Sequence, residues 1–333
     1  MAAERKEKVI RVLQILQTTD KNTPVNATQI VDKLENEYVI GKTDRRSIYR
    51  DVKMLQSCGY PIEQAKDKKQ GWYMDKHAFD DWEIKVMMDA VQQARCVSVE
   101  EAENIREKLL GLMSKRGRSR FSHMMNPISC NVEVDTKLGE YIETMLEAMF
   151  MHKKIQFQYT EINDNMEKVL RRKGKVYILN LYTIYWSDNN YYLIGAHDNH
   201  EGLTSYRLDR VENLTMSEEY SIDAKEKIGQ NPELYIQEYI EKSVNHFSGE
   251  SIRIEVEYKP NQITNAILYD FAGSSVRVRK QTNGRCRAVF SKMNSVTLTG
   301  WFMQYANMFK VIEPEKLKNE LQEQLKEAVK NYE

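Results

Sequence analysis

The spacing of apolar and polar positions predicts three short helices at the start of the chain. Apolar residues recur at helical intervals over residues 4–17, over a second segment that begins near Asn26, and over residues 43–55. Wound as a helix, the third segment places Ile48, Val52 and Leu55 in one narrow arc, which predicts a buried face. A second arc, about 120° away, gathers four cations and one aromatic residue: Arg45, Arg46, Tyr49, Arg50 and Lys53.

A basic face of this kind fits the major groove of DNA, where cations neutralise phosphates or bind guanine edges. The alternative is an ordinary solvated helix face. The flanking sequence favours DNA, because two helices, a turn and a basic helix follow one another in helix-turn-helix order. After Leu55, residues 58–62 and 71–74 predict a β-hairpin. Its polar tip contains Lys66, Lys68 and Lys69, which could reach phosphates as a wing does.

The region after the hairpin is predicted to be a helical connector, from Phe79 to Met113. A basic run, Lys115–Arg120, follows it. Such a run can be a nucleic-acid patch, but it is more typical of a solvated interdomain linker, and we predict the linker.

The rest of the chain predicts two mixed modules. A helix over residues 136–152 is followed by short strands, among them 175–186 and 203–211, whose spacing predicts a small, strongly bent sheet or barrel. From residue 226 a helix precedes the order βαββαβ and a terminal helix, which is typical of a ferredoxin-like domain. The predicted fold is multidomain α+β, with domains at 1–76 (winged helix-turn-helix), 77–130 (helical connector), 131–225 (effector-sensing barrel) and 226–333 (C-terminal extension).

The charge and the cysteine content of the chain say more about its cellular compartment than about its binding partners. Lysine plus arginine and aspartate plus glutamate both number 49, although residues 1–78 hold 15 cations and 11 anions, a net of +4. The four cysteines, Cys58, Cys96, Cys130 and Cys286, are scattered, which favours reduced thiols in the cytoplasm. The first residues do not resemble a signal peptide, and no apolar run approaches the roughly 20 residues needed to span a bilayer. A cytoplasmic protein without membrane contact is expected.

Sequence signatures of catalysis and cofactor binding are absent. The 14 glycines include no G-x-G spacing, and there is no C-x-x-C pair and no Gly-x-Ser-x-Gly elbow. His197 and His200 form an isolated H-x-x-H, which is more typical of a loop than of a metal site. We therefore predict a protein that is not an enzyme and that has no cofactor and no metal, although a site assembled from distant residues would leave no such signature.

Three motifs together resemble the WYL-domain transcriptional regulators of bacteria over nearly the full chain. Residues 45–51, Arg-Arg-Ser-Ile-Tyr-Arg-Asp, resemble the recognition-helix signature of that family, with Ser47 in the usual threonine position. Tyr191-Tyr192-Leu193 stands at the Trp-Tyr-Leu position, and residues 206–210 resemble its Phe-Arg-Leu-Asp-Arg. Residues 301–314 resemble the end of the C-terminal extension. Tyr191 departs from the tryptophan, and Leu181 stands where a proline is common and could alter one edge of the sheet.

The resemblance implies a homodimer that binds double-stranded operator DNA and responds to an effector, often a nucleotide or single-stranded nucleic acid. The implied DNA contacts are Arg45, Arg46, Ser47, Tyr49, Arg50, Lys53, Lys68 and Lys69. The implied effector contacts, in an Sm-like barrel, are Tyr159, Arg171, Tyr191, Tyr206, Arg207 and Arg210.

Alternation along a strand would place Arg207 on one face and Tyr206 with Arg210 on the other, so both arginines cannot enter one pocket. We favour Arg207, and the reverse stays open. The alternative for these residues is a salt-bridged arginine beside core tyrosines. The alternative for the protein is an RNA- or single-strand-binding protein whose barrel is the main binding module.

Overall fold

The computed structural model describes residues 2–122 and 137–333, and divides the chain into two compact units, Met1–Thr136 and Lys137–Glu333. Both units combine helices with antiparallel sheets. The fold is therefore mixed α+β with more than one domain, as the sequence predicts. The predicted boundary near residue 130 and Cys130 itself lie outside the described residues.

The first unit begins with three helices and a two-stranded antiparallel sheet: α1 (Ala2–Gln17), α2 (Ala27–Asn36), α3 (Arg45–Ser57), β1 (Ile62–Gln64) and β2 (Trp72–Met74). Helix α2 starts as predicted at Asn26, whose side chain accepts a hydrogen bond from the Gln29 amide while the Gln29 side chain accepts one from the Asn26 amide. All five elements contribute side chains to one apolar core, which includes Leu16, Ile30 and Ile48.

The return strand of the hairpin is attached to the helices through backbone hydrogen bonds. The Val25 amide donates to the Trp72 carbonyl over 2.8 Å, and the Trp72 amide donates to the Val25 carbonyl over 2.9 Å. Gly71 makes this approach possible, because a Cβ there would lie 2.1 Å from the Val25 carbonyl oxygen and the residue has a φ of +94°. The hairpin and the helices thus form one packed body.

Three further helices complete the described part of this unit: α4 (Asp81–Gln93), α5 (Val99–Gly111) and α6 (Lys115–Ser122). Ser98 and Glu101 form a capping box at the start of α5. The charged run 115–120, predicted to be a solvated linker, forms helix α6. Helix α6 packs on apolar side chains, because Met113 and Phe121 belong to one hydrophobic cluster with Ile84. The basic side chains occupy the outer surface, and Arg120 pairs with Asp81 over 3.0 Å.

The second unit opens with α7 (Leu138–Phe150) and six strands: β3 (Lys153–Ile162), β4 (Lys168–Leu170), β5 (Val176–Ser187), β6 (Asn190–Ala196), β7 (Thr204–Arg207) and β8 (Val211–Tyr220). The strand order in the sheet is β4-β3-β5-β6-β7, and β8 pairs with β3 on the side away from β5. Only residues 208–210 connect β7 to β8 at the opposite edge, so the sheet must curl strongly. It is strongly bent, as predicted, but no β7–β8 ladder closes it into a barrel within the described strands.

The C-terminal part of this unit follows the predicted order. Helices α8 (Ala224–Ile228) and α9 (Pro232–Lys242) precede β9 (Ser251–Tyr258), α10 (Gln262–Ala272), β10 (Arg277–Lys280), β11 (Cys286–Met293), α11 (Val296–Gln304), β12 (Phe309–Glu313) and α12 (Glu315–Lys330). The four strands form an antiparallel sheet in the order β10-β11-β9-β12. Helices α10, α11 and α12 supply Leu268, Phe302 and Leu317 to the core on one side of this sheet.

Candidate functional site

Helix α3 has one buried face and one exposed basic face, as the sequence predicts. Ile48, Val52 and Leu55 are 0%, 1% and 4% exposed, which fixes the rotation of the helix on the unit. The second arc is exposed throughout: Arg45, Arg46, Tyr49, Arg50 and Lys53. The side chain of Asp44 caps the helix by accepting a hydrogen bond from the Arg46 amide over 3.1 Å. A rigid helix therefore presents four cations and one aromatic ring to solvent.

Ser47 lies apart from this exposed face. Its hydroxyl accepts a hydrogen bond from Lys8 Nζ over 2.9 Å, and the same ammonium forms an ion pair with Asp51 over 2.8 Å. Ser47 and Asp51 thus hold α1 against α3. Ser47, one of the proposed DNA contacts on α3, therefore has a structural role in this geometry.

The hairpin that carries the predicted wing lysines packs against the same helix through its return strand. Lys66, Lys68 and Lys69 are exposed at its tip. The return strand lies close to α3, because the Trp72 ring contacts the Tyr49 ring edge-on with centroids 4.9 Å apart. The basic helix face and the lysine-bearing tip therefore belong to one packed body, as expected for a helix and a wing that bind one ligand.

Two of the proposed effector contacts lie in the core of the bent sheet. Tyr159 and Tyr206 are 9% and 8% exposed, and their rings meet edge-on with centroids 5.1 Å apart. Phe157 and Tyr177 complete the group, at 5.0 Å and 5.6 Å from the Tyr206 ring. Burial raises the pKa of Tyr206 to about 12 and also raises the pKa of Tyr159. Sequence reasoning missed Phe157 and Tyr177, although alternation along β3 and β5 places both on the inner side.

Arg207 is half-buried and tightly held. Its guanidinium donates to both carboxylate oxygens of Asp209, over 3.0 and 2.8 Å, and to Asn190 Oδ1 over 3.2 Å. The amide of Arg207 donates to the Tyr159 hydroxyl over 3.2 Å. The hydrogen bonds that its guanidinium donates to Asp209 are the main reason why the pKa of Arg207 is raised. A salt-bridged arginine beside core tyrosines is the alternative that the sequence analysis gave for these residues.

The alternation argued for Arg207 and Arg210 does not apply, because β7 ends at Arg207 and residues 208–210 form a 3₁₀ turn. Arg210 is half-buried, and its carbonyl accepts a hydrogen bond from the Thr160 hydroxyl over 3.0 Å. Arg171 lies 3.5 Å from a Glu161 carboxylate oxygen in a basic turn before β5. Tyr191 packs at the rim of the same core, edge-on to Trp186 at 4.6 Å. Tyr159, Tyr206 and Arg207 are in contact, and the other three surround them less closely.

Two histidines that sequence reasoning did not place in the site border this region. The His197 ring lies 2.6 Å from the Ile178 carbonyl oxygen through Nδ1 and 2.8 Å from the Tyr206 hydroxyl through Nε2, so both nitrogens are used. The His246 ring packs against Tyr192 with centroids 3.7 Å apart. Burial lowers the pKa of both histidines. In the described part of the chain, no group of three or more histidine, cysteine or carboxylate side chains could hold a metal ion.

These two histidines are expected to make the second unit less stable in mild acid. Their pKa values lie below the unfolded value of about 6.5, so the unfolded chain takes up protons first as the pH falls. The free energy of unfolding should therefore be level above about pH 7 and decrease below about pH 6.5. His246→Phe keeps the ring packing and removes one titrating group, and denaturant titrations between about pH 5 and 7 should show a shallower decrease. An unchanged slope in this variant would contradict the assignment to His246.

Among the helices that the structure describes, none is both long and apolar enough to cross a membrane.

Comparisons with known proteins identify two domains in the second unit. A WYL domain model matches residues 140–216 and a WCX domain model matches residues 250–329. The first match covers α7 and most of the bent sheet, and the second covers the four-stranded sheet and its helices. No curated protein matches the chain.

Solved structures share its general arrangement only distantly. Proteasome accessory factor B/C (PafBC) of Arthrobacter aurescens is 16% identical with a TM-score of 0.30, over 98% of this chain and 49% of PafBC. A CRISPR Cas-related protein is 13% identical with a TM-score of 0.39, over 99% of this chain and 85% of that protein. The chain spans about half the length of the PafBC chain, and at such low TM-scores neither structure informs its function. The domain matches show that the chain contains a WYL domain followed by a WCX domain.

Proposed function

We propose that this protein is a transcription regulator that binds operator DNA through a winged helix-turn-helix domain, residues 1–76, with α3 as the recognition helix. The observation that carries the proposal is the exposed face of α3, where four cations and Tyr49 stand opposite a fully buried stripe. Major-groove recognition needs this combination of a fixed helix and mobile cationic tips. The lysines of the hairpin would contact phosphates as a wing.

The proposed division of labour follows the domain order. Residues 77–130 connect the DNA-binding domain to the WYL domain (131–225), which takes up a nucleotide or single-stranded nucleic acid, and the C-terminal extension (226–333) completes a cytoplasmic homodimer. Arg207 supports an effector site on the WYL domain, because Asp209 and Asn190 hold its guanidinium in a fixed orientation. A dimer supports operator recognition, since two recognition helices can occupy half-sites one helical turn apart. The proposed role is binding rather than catalysis.

Duplex DNA binding tests the proposal. The DNA upstream of the gene for this protein, and a scrambled duplex of the same composition, are titrated with the protein over a range of salt concentrations. We expect preferential binding of the upstream duplex, with log K decreasing by about 0.9 per phosphate contact for each unit of log salt. Nucleotides and short single strands are then added as effectors, and a change in affinity is expected. No duplex binding at low salt, for any sequence tested, would overturn the proposal.

A second candidate is an RNA- or single-strand-binding protein that uses the WYL domain as its main module. The turn before β5 favours it, because Arg171, Arg172 and Lys173 follow one another at its surface and Lys175 lies 5.6 Å from the Tyr177 ring centroid. Arg172 and Lys173 also adopt left-handed backbone conformations, with φ of 52° and 57°, and such backbone strain often accompanies binding sites. A preference for single strands over every duplex, with α3 dispensable, would favour this candidate.

A further inference from the structure

A single lysine of α1 contacts two successive turns of α3. The Lys8 ammonium donates a hydrogen bond to the Ser47 hydroxyl over 2.9 Å and forms an ion pair with Asp51 over 2.8 Å. Ser47 and Asp51 are four residues apart, so their side chains are neighbours on one side of the helix. We call these two contacts the Lys8 bridge.

The bridge is connected to the first turn of α3. The Ser47 hydroxyl donates its proton to the Asp44 carbonyl over 2.6 Å, which leaves its oxygen free to accept from Lys8. The Asp44 carboxylate accepts a hydrogen bond from the Arg46 amide and so caps the helix. The bridge therefore holds the end of α3 from which Arg46 projects.

The bridge lies between the buried stripe of α3 and its basic face. Successive residues of a helix are about 100° apart, so Asp51 and Ser47 lie about 60° and 100° round the helix from Ile48. Arg50 lies further in the same direction, at about 160° from Ile48. The Lys8 bridge is thus on the flank of α3 that leads to Arg50.

This flank of α3 borders open space. A cleft of about 720 Å³ opens between α1 and residues 40–44, and it is lined in part by Lys8, Ser47, Arg50 and Asp51. Where a helix borders open space, it has no packing contacts that resist a tilt in that direction. The Lys8 bridge ties the flank to α1, and so it opposes a tilt of α3 toward the cleft that the buried stripe alone would permit.

A simpler explanation is that the ion pair only stabilises the unit. The Lys8 and Asp51 side chains are 15% and 14% exposed, so both charges have lost most of their hydration. For buried ion pairs the lost hydration offsets much of the attraction, and apolar side chains of similar volume often stabilise a fold equally well. The best-attested use of such pairs is to specify one arrangement of two elements. The position of α3 therefore accounts for the bridge better than stability does.

A direct contact between Lys8 and a DNA phosphate is a second alternative. An ammonium has three donors, and two of them are directed at Ser47 and Asp51. The Asp51 carboxylate would also lie beside the incoming phosphate and repel it. The geometry therefore favours an indirect role for Lys8.

We infer that Lys8 is a positioning residue for DNA recognition, which holds α3 at the tilt that brings Arg46 and Arg50 to the same stretch of major groove. The inference rests on the proposed function, because it requires α3 to be the recognition helix. A hydrogen bond to a base edge is lost when donor and acceptor move apart by roughly 1 Å. A small tilt of α3 would therefore weaken DNA binding, although Lys8 itself does not touch the DNA.

Removal of the bridge without any change in net charge tests the inference. Lys8→Met/Asp51→Ala removes one cation and one anion, so that neither charge is left buried without its partner. Lys85→Met/Asp89→Ala is the matched control, because it removes an ion pair of the same residue types from α4 in the same unit. Fluorescence anisotropy measures binding of the upstream duplex by both variants of the full chain and by the unmodified protein. The temperature is kept below the onset of melting of every variant, so that only folded protein is compared.

The bridge variant is expected to bind the duplex on the order of tenfold more weakly than the control variant, as for the loss of about one charge-assisted hydrogen bond. The control variant should bind like the unmodified protein. Lys8→Arg keeps the charge and can donate to both partners, so it should retain most of the affinity. An ion pair that only stabilised the unit would lower the melting temperature of the bridge variant and leave the affinity of the folded protein unchanged.

The single variants separate the effect of position from that of charge. Asp51→Ala makes the protein more positive, so an effect of charge alone would strengthen DNA binding. Loss of the bridge should weaken binding instead, and Lys8→Met should weaken it too. Stronger binding by Asp51→Ala, or equal affinities for the bridge and control variants, would overturn the inference while the unmodified protein still bound the duplex. If the unmodified protein bound no duplex, the proposed function would fail, and the inference with it.

Discussion

Replacing Arg46 and Arg50 with alanine is expected to weaken operator binding by about 2–4 kcal/mol, or about 30- to 1,000-fold in Kd. Both side chains are exposed on α3, on the side away from the buried stripe. If they contact base edges or phosphates, each truncation removes one charge-assisted contact at the centre of the interface. Titration of the upstream duplex with the variant and with the unmodified protein measures the loss.

The fold should survive this change. Neither side chain enters the core, and the Asp44 carboxylate caps α3 through the Arg46 amide, which alanine retains. The melting temperature of the variant should therefore match that of the unmodified protein. Arg95→Ala/Arg116→Ala is a suitable control, since it removes two exposed arginines of the same unit that lie outside α1, α2, α3 and the hairpin. A similar loss in the control would show that general charge, rather than the α3 face, determines affinity.

Replacing Tyr206 with alanine is expected to lower the free energy of unfolding by about 3–5 kcal/mol. The ring is 8% exposed and lies among Phe157, Tyr159 and Tyr177, so its removal leaves a cavity inside the WYL domain. Tyr206→Phe keeps the ring and loses the contact between its hydroxyl and His197 Nε2, which should cost about 1 kcal/mol. Urea titrations of the full chain measure both changes.

Tyr220→Ala is the matched control, because this tyrosine is in the same unit and is 74% exposed. It should change the free energy of unfolding by less than about 0.5 kcal/mol. If Tyr206→Ala kept full stability and only lost effector affinity, Tyr206 would be a ligand contact rather than a part of the core. The comparison thus separates the two roles that the sequence left open for this residue.

Local rules account for the helices and strands that could be predicted. The Asn26 and Ser98 caps mark the starts of α2 and α5, and the stripe of Ile48, Val52 and Leu55 fixes which side of α3 faces solvent. The C-terminal strands alternate clearly because one face of their sheet is buried and the other is open. In each case the pattern of a few neighbouring residues is enough to predict the element and its buried face.

Contacts between distant segments account for what could not be predicted. Lys8 determines the orientation of Ser47, although 39 residues separate them. The run 115–120 is strongly charged, yet it is helical, because the flanking residues Met113 and Phe121 pack in an apolar cluster. Residues 206–210 have the composition of a strand, but the chain must turn after Arg207 to reach the far edge of the sheet. The aromatic core around Tyr206 depends on that turn.

The attachment of the hairpin to the helices by Val25 and Trp72 determines how much conformational entropy the protein would lose on binding DNA. Because this attachment exists in the free protein, the backbone of the wing is already ordered before a ligand arrives. In the proposed complex with DNA, the loss of conformational freedom on this side of the interface would be confined to lysine and arginine side chains. Helix and wing would then dock as one preorganised body, without a folding step that slows association.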